Sequence, residues 1–368
     1  MENTERKKSD KPRKPAARQK KRPVKKKDKS SLRRNLWLGA AALVVVIAAV
    51  MLWQGKRYLA RFSPADGETT WVYIPSDATK EAVRDSLRSV LGDDFGGKVA
   101  SIWSGEPQAA HGAYRVEPGA RAFRVAKNIG RGLQSPVKVA FNNVRTVDQL
   151  SERLARKMEF SADDFKAGFD SVADARGISP EMLVTFIFPD TYEAFWTDSP
   201  AKLLSRLESA HSRFWNDKRK DKASELGLTP ETAYILASIV EEESGKADER
   251  PVIGRLYLNR LHKGMPLQAD PTVKFANGDF AARRITGAML RKDSPYNTYR
   301  NKGLPPGPIR LVEASTIDGI LNSEPHSYIY MCAKADFSGR HAFASDYAEH
   351  QRNAASYHKA LDERGIKK

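Results

Sequence analysis

The sequence predicts an α+β protein: one membrane-spanning helix near the N-terminus, a small mixed domain, then a helix-rich domain with a small sheet. Three observations carry this. Leu36 to Trp53 is an uncharged run of eighteen residues, long enough to cross a bilayer. Strand-like and helical patterns alternate from Thr70 to about residue 134, and from Ser161 onward apolar residues recur mainly at helical spacing. Neither a Rossmann nor a barrel rhythm is visible.

The chain carries a net charge of +17, of which its first 34 residues, with sixteen Lys or Arg against four Asp or Glu, supply +12. Many charges, Pro12, Pro15, Pro23 and almost no large apolar residues predict that residues 1–35 form a disordered tail. The tail has no aromatic residue for stacking and no folded module to present it, which argues against nucleic acid as its partner. The span at 36–53 has Arg33 and Arg34 before it, Lys56 and Arg57 after it, and Trp37 and Trp53 near its ends, where indoles favour the interface. Its length and the lack of a small-x-small cleavage site argue against a removed signal peptide. The positive flank places the tail in the cytoplasm beside anionic lipid, and residues 54–368 outside it.

Residues 54–67 read as a linker. Thr70 to Pro75 is a short strand signal, followed by a helical pattern through Ala82, Val83, Leu87, Val90 and Leu91. Gly112 to Val116 and Ala120 to Gly130 repeat that cycle, giving a small α+β domain at 68–134. In the remaining domain, 135–368, Val137 to Phe141 is a strand and Thr146 to Met158 a helix. Helices follow at Asp164 to Ala173, Pro180 to Thr185, Pro200 to Lys218, Thr229 to Gly245 and Pro251 to His262. Gly264 to Asn277 and Asp293 to Ile309 read as extended or looped. Val312 to Leu321 is a helix, 328–332 and His341 to Ala344 are strands, and a last helix begins at Ala348. Cys332, the single cysteine, allows no intrachain disulfide and reads as a packing residue in a buried strand.

The segment Thr229 to Gly245 is the most telling. Thr229 is a good N-cap, Pro230 suits the first helical position, and Glu231 lies where negative charge is favoured. From Ala233 to Val240 every residue but Ser238 is apolar, which predicts a helix surrounded by protein. Glu241, Glu242 and Glu243 then crowd its last turn, before Gly245 as C-cap. Burial, mutual repulsion and the helix dipole all disfavour ionisation there, so at least one is expected to keep its proton towards neutral pH, as a general acid must. Equally, three exposed glutamates could solvate the helix end and pair with Lys246, Arg250 or Arg255. The segment alone does not choose.

Elsewhere the seven histidines are scattered, and no metal-ligand spacing, phosphate-binding glycine loop or nucleophile elbow occurs, so no metal or cofactor is implied. What remains is carboxylate chemistry beside loops rich in amides, hydroxyls and aromatics, a combination suited to carbohydrate. Those loops are Asn259-Arg260, Met265 to Val273, Ser294 to Tyr299 and Gly303 to Ile309.

With Ile239 to Ser244, Phe188 to Tyr192 and His341 to Phe343, these loops closely resemble the MltG (YceG-like) family of membrane-anchored endolytic murein transglycosylases, in strong form from Phe188 to Ala354. The resemblance implies that the small domain is LysM-like and the rest a lytic transglycosylase domain. It maps the catalytic acid onto Glu243, followed by Ser244; Glu241 matches a family acidic position, and Glu242 a variable one. It implies cleavage between MurNAc and GlcNAc within nascent strands, a 1,6-anhydro product, and synthase partners such as penicillin-binding proteins. Gln268, Tyr296, Asn297 and Tyr299 are expected to line a glycan cleft. Asp270 would be a second carboxylate if water were the acceptor, or else would order the turn before Pro271; Asp190 stands after it in that role. Asn259 could orient Glu243 or join two helices. A muramidase and a non-catalytic glycan-binding scaffold are the competing readings.

Overall fold

The computed structural model describes residues 29–282 and 284–365. Of the tail expected over residues 1–35, residues 1–28 lie outside them. Two compact units divide the chain, Met1–Leu59 and Ala60–Lys368. Among its described residues the first is one helix, α1 (Lys29–Leu59), longer at both ends than the uncharged stretch. Residues 29–35 and 54–59, read as tail and linker, are therefore helical. The apolar side chains of α1 are exposed, Trp37 by 78% and Leu52 by 69%, as suits a helix whose environment is apolar.

The second unit begins with strand β1 (Thr70–Ile74), whose alternation puts Val72 and Ile74 inside and Trp71 and Tyr73 outside. Helices α2 (Lys80–Leu91), α3 (Asp93–Ile102) and α4 (Pro107–Ala110) lead to strand β2 (Gly112–Val116), antiparallel to β1. Helix α3 was not among the expected elements, and it contains Gly96 and Gly97. Glycine is what lets it pack: a Cβ at Gly96 would lie 2.1 Å from the Leu87 carbonyl oxygen of α2. Helix α5 (Ala122–Gly130) closes a core of Val72, Ile74, Val83, Leu87, Val99 and Ile129.

Strand β3 (Val137–Ala140) is followed by α6 (Val147–Ala155), α7 (Ala162–Arg176) and α8 (Pro180–Leu183), capped by Thr146, Ser161 and Ser179. Strand β3 pairs with β4 (Thr191–Ala194), too short and polar to announce itself by periodicity. The helix expected over 200–218 is two, α9 (Pro200–Phe214) and α10 (Asp217–Glu225). Asn216 divides them by accepting a hydrogen bond from the Arg219 N–H as N-cap, a role asparagine fills better than it extends a helix.

Helix α11 (Pro230–Glu243) is enclosed as expected, with Ala233 through Glu241 all buried. Its internal polar groups are paired. The Tyr234 hydroxyl donates to the Ile187 carbonyl and accepts from the Val312 N–H, and Ser238 Oγ accepts from Ile309 N–H at 3.0 Å. The helix stops at Ser244, already extended, rather than at a glycine cap. Beyond α12 (Arg250–His262), the loop expected over 264–277 contains a helix, α13 (Asp270–Asn277): Pro271 sits in its first turn, where the missing N–H costs nothing. Helices α14 (Gly287–Leu290) and α15 (Ala314–Leu321), strands β5 (Tyr330–Ala333) and β6 (His341–Ala344), and α16 (Tyr347–Glu363) complete the chain. The fold is thus helix-rich α+β, and among the described residues its strands form three separate antiparallel pairs rather than one small sheet.

Helices α12 and α15 meet across Gly254, where a Cβ would stand 2.6 Å from Ile320 Cγ1. Gly254→Ala should force the two apart and destabilise the protein by about 1–3 kcal/mol despite alanine's higher helix propensity. Urea unfolding checks this; unchanged or greater stability would show that the contact gives way.

Candidate active site

The three carboxylates ending α11 have different surroundings. Glu241 is buried and accepts from Thr316 Oγ1 at 2.8 Å and from the Glu313 N–H at 3.1 Å, with Arg310 3.2 Å and Arg250 3.7 Å away. Glu242 is part-buried between Arg145 at 2.8 Å and Arg310 at 3.1 Å. Among the described residues Glu243 has neither kind of partner: its Oε2 is buried and accepts no hydrogen bond from them. Burial, and next the charge of Asp270, push its pKa up from 4.5 to about 8, with Lys274 opposing. The upward shift expected at this helix end thus falls on Glu243, and its causes are burial and Asp270 rather than the neighbouring glutamates, which face arginines instead. Arg250 had been anticipated as a partner. Arg145 and Arg310 lie 97 and 68 residues from Glu242 in sequence, and no local pattern points to either.

Glu243 sits where two depressions meet. One, of about 430 Å³, is lined by Tyr257, Arg260, Gln268, β5 and His341; the other, of about 850 Å³, by Lys274, Arg284, Leu290 and Tyr357 to Leu361 of α16. Both contain Glu243, Asp270 and Tyr299, so Glu243 borders two adjoining depressions. Asp270 opens α13 and accepts from the Tyr299 hydroxyl at 2.7 Å. Burial, then this bond, raise the Tyr299 pKa, so the phenol stays protonated and keeps donating.

Gln268 reaches the groove on a left-handed backbone, φ 52°, a conformation unfavourable for a residue with a Cβ. Its place is fixed by Thr298, whose carbonyl accepts its N–H at 3.1 Å, and by Arg260, which donates to Oε1 at 2.6 Å. Arg260 is buried and also holds the Pro266 and Ile329 carbonyls, so it joins the loop carrying Gln268 to the residue just before β5.

The other expected cleft residues stand behind it. Asn297 has no exposed surface; its amide donates to the Leu290 and Lys292 carbonyls and its Oδ1 accepts from the Tyr299 N–H. It shapes the loop that presents Tyr299. Tyr296 packs on Phe275 with centroids 4.7 Å apart, its hydroxyl buried and its pKa pushed up to about 12 by that burial. Asn259 donates to the carbonyls of His326 and Tyr328, joining α12 to the segment before β5 rather than orienting Glu243. Asp190 accepts from its neighbour's N–H in the turn before β4. Cys332, expected as a packing residue in a buried strand, is only part-buried and lines the first depression; burial raises its pKa and keeps it a thiol.

Sequence reasoning missed the clasp beside Glu243. Buried Glu249 accepts from Ser244 Oγ at 3.2 Å and from the His341 N–H at 2.9 Å, with His341 Nδ1 3.3 Å away. Ser244, the residue after Glu243, is thereby tied to β6. An isolated Glu in the run Ala-Asp-Glu-Arg gives no hint of this.

Comparison with known proteins supplies an independent line. The YceG-like family matches residues 72–356. An endolytic murein transglycosylase of Bacillus subtilis (strain 168) is 24% identical over 344 residues, covering 87% of this chain and 93% of that one. One from Streptococcus pneumoniae D39 is 27% identical over 176 residues, 47% of this chain and 32% of the relative. In fold, a crystal structure of a yceG-like protein from Listeria monocytogenes matches with a TM-score of 0.51 at 24% identity, covering 77% of this chain and 98% of that one.

Proposed function

The chain belongs to the YceG-like family, and from that membership we propose that it is an endolytic murein lytic transglycosylase whose acid is Glu243. The observation carrying this is a buried carboxyl group whose pKa is pushed up to about 8 and which borders two adjoining depressions.

In the proposed reaction Glu243 gives its proton to the oxygen linking MurNAc to GlcNAc, and the bond from that oxygen to C1 of MurNAc breaks. The MurNAc N-acetyl carbonyl is placed to assist at C1. The MurNAc 6-hydroxyl then closes onto C1 and returns its proton to Glu243, leaving a 1,6-anhydro end with no water consumed. Gln268, Asp270 and Tyr299 are the side chains we place against the sugars, with Asn259, Tyr296 and Asn297 supporting the loops that carry them. No second carboxylate is required by this route, whereas hydrolysis of the usual kind requires one. Asp270 shares the groove with Glu243 and is the residue a muramidase would use.

We further propose the finer architecture: a cytoplasmic N-terminal tail, a single pass of the inner membrane by α1, a LysM-like domain over 68–134 and a YceG-like catalytic domain over 135–368. The activity would then limit the length of nascent strands beside penicillin-binding proteins or other synthases. Mass spectrometry of purified strands after digestion tests the chemistry. Internal fragments ending in 1,6-anhydroMurNAc are expected. Reducing MurNAc ends would make it a hydrolase, and intact strands would leave a glycan-binding scaffold.

A further inference from the structure

A second groove, of about 950 Å³, lies on the outer face of β1 and runs to β3 and the end of α6. Its floor is aromatic. Trp71 and Tyr73, two residues apart on the outward side of β1, stack with centroids 6.2 Å apart, and Trp196 meets Tyr73 edge-on at 5.2 Å. Tyr73 is 44% exposed and Trp71 and Trp196 are part-buried, so the platform is seated and yet open.

The platform is built rather than incidental. Glu159 accepts from the Ser76 N–H and Oγ at 2.5 and 2.6 Å, which fixes the end of β1, and donates its own N–H to the Trp196 carbonyl at 2.9 Å. One residue thus holds both sides of the aromatic floor. The rim is cationic: Lys138, Arg156 and Lys157 are exposed, and Arg115 is paired with Glu117 at 3.0 Å. Glu193, across the ladder from Lys138, is the other acidic residue of the rim.

We propose that this groove is a non-catalytic binding site for an anionic glycopeptide: sugar faces lie on Trp71, Tyr73 and Trp196, and peptide carboxylates meet Arg156, Lys157 and Lys138. Resting on the function proposed above, the occupant is a stretch of the same murein strand, away from the bond being cut. Aromatic rings supply adhesion to the apolar faces of successive sugars, while the cations respond to stem peptides. The site therefore prefers strands that still carry peptides and adds affinity only for strands long enough to reach both grooves. It makes the enzyme hold a strand at two places.

The test uses the full chain carrying Glu243→Gln, to prevent cutting, in zwitterionic lipid nanodiscs, with fluorescently labelled strands read by anisotropy. Tyr73→Ala should weaken binding of long peptide-bearing strands by roughly tenfold, the loss of one aromatic anchor, and leave a short tetrasaccharide unaffected. The pair Arg156→Glu and Lys157→Glu should lower affinity for peptide-bearing strands to that for peptide-free strands, which the pair should not alter. Both changes are at exposed positions, so unchanged melting temperatures would confirm that the fold is intact. Indifference of long strands to Tyr73→Ala would overturn the proposal. So would tighter binding of a single-stranded oligonucleotide at this groove, or an effect that appears only with anionic lipid. Failure of the parent reading looks different: the unsubstituted enzyme would give no 1,6-anhydro ends while binding at the aromatic groove persisted.

Discussion

Glu243→Gln should remove cleavage, lowering the rate by about 10²–10⁴-fold or beyond detection, while strand binding survives. The amide has the carboxyl's shape but cannot give a proton to a leaving oxygen. The pH dependence carries the sharper test. With the Glu243 pKa near 8, cleavage should be steady through neutral pH and fall as pH rises past about 8. Asp270→Asn removes a negative neighbour that favours the protonated form, so that falling limb should move to lower pH. A limb that stays put in this variant would separate Asp270 from the acid. Stability follows the same proton. Folded Glu243 keeps it to about pH 8, whereas the unfolded chain releases it near 4.5, so between those values the unfolded state binds fewer protons and stability declines as pH rises. The loss has a ceiling of about 5 kcal/mol at ~1.4 kcal/mol per pH unit. Glu243→Gln has no such proton to lose and should be the more stable protein at pH 9, with the advantage gone at pH 4. A wild-type protein whose melting temperature tracks that of the variant across this range would show that Glu243 titrates as an ordinary carboxylate.

Much of this site could be read from the chain because its central element is local. The cap at Thr229, the apolar run to Val240 and the carboxylates after it fix a buried helix and the crowding at its end without knowledge of anything distant. Which glutamate stays free is a long-range matter. It is decided by Arg145 and Arg310, brought to Glu242 and Glu241 from far along the chain, and residues alone could not sort the three. The same limit applies to the loops. Amide and aromatic residues near a sugar-cutting acid all look like ligands in sequence, yet Asn297 and Asn259 spend their amides on backbone carbonyls. Asn216 splits a helix that periodicity had continued, and Pro271 starts one where a proline suggested loop. Residues serving as caps and first-turn positions were legible as helix signals but not as signals for these helices.

Glu241→Ala should be the most destabilising substitution at the end of α11, by about 3 kcal/mol, although Glu241 stands two residues from Glu243. Its side chain is 1% exposed and gathers Arg310, Arg250, the Glu313 N–H and Thr316 Oγ1, which ties α11 to α12 and to the start of α15. Truncation leaves two partly buried arginines and two donors without that acceptor. Breaking a buried ion pair from one side typically costs ~3–5 kcal/mol. The lower end applies here, because Arg310 keeps Glu242 at 3.1 Å and Arg250 keeps Glu313 at 3.2 Å. Glu242→Ala should cost less, about 1 kcal/mol, its side chain being 19% exposed and its arginine pairs correspondingly weaker. Glu241→Gln retains an acceptor for Thr316 and Glu313 while losing the charge, so its stability should fall between. Its cleavage rate per folded molecule should remain within several-fold of the parent's. Urea midpoints paired with rates normalised to the folded fraction separate the roles. If Glu241→Gln folds as stably as the parent and yet does not cut, the chemistry needs Glu241, and a single-acid mechanism centred on Glu243 fails.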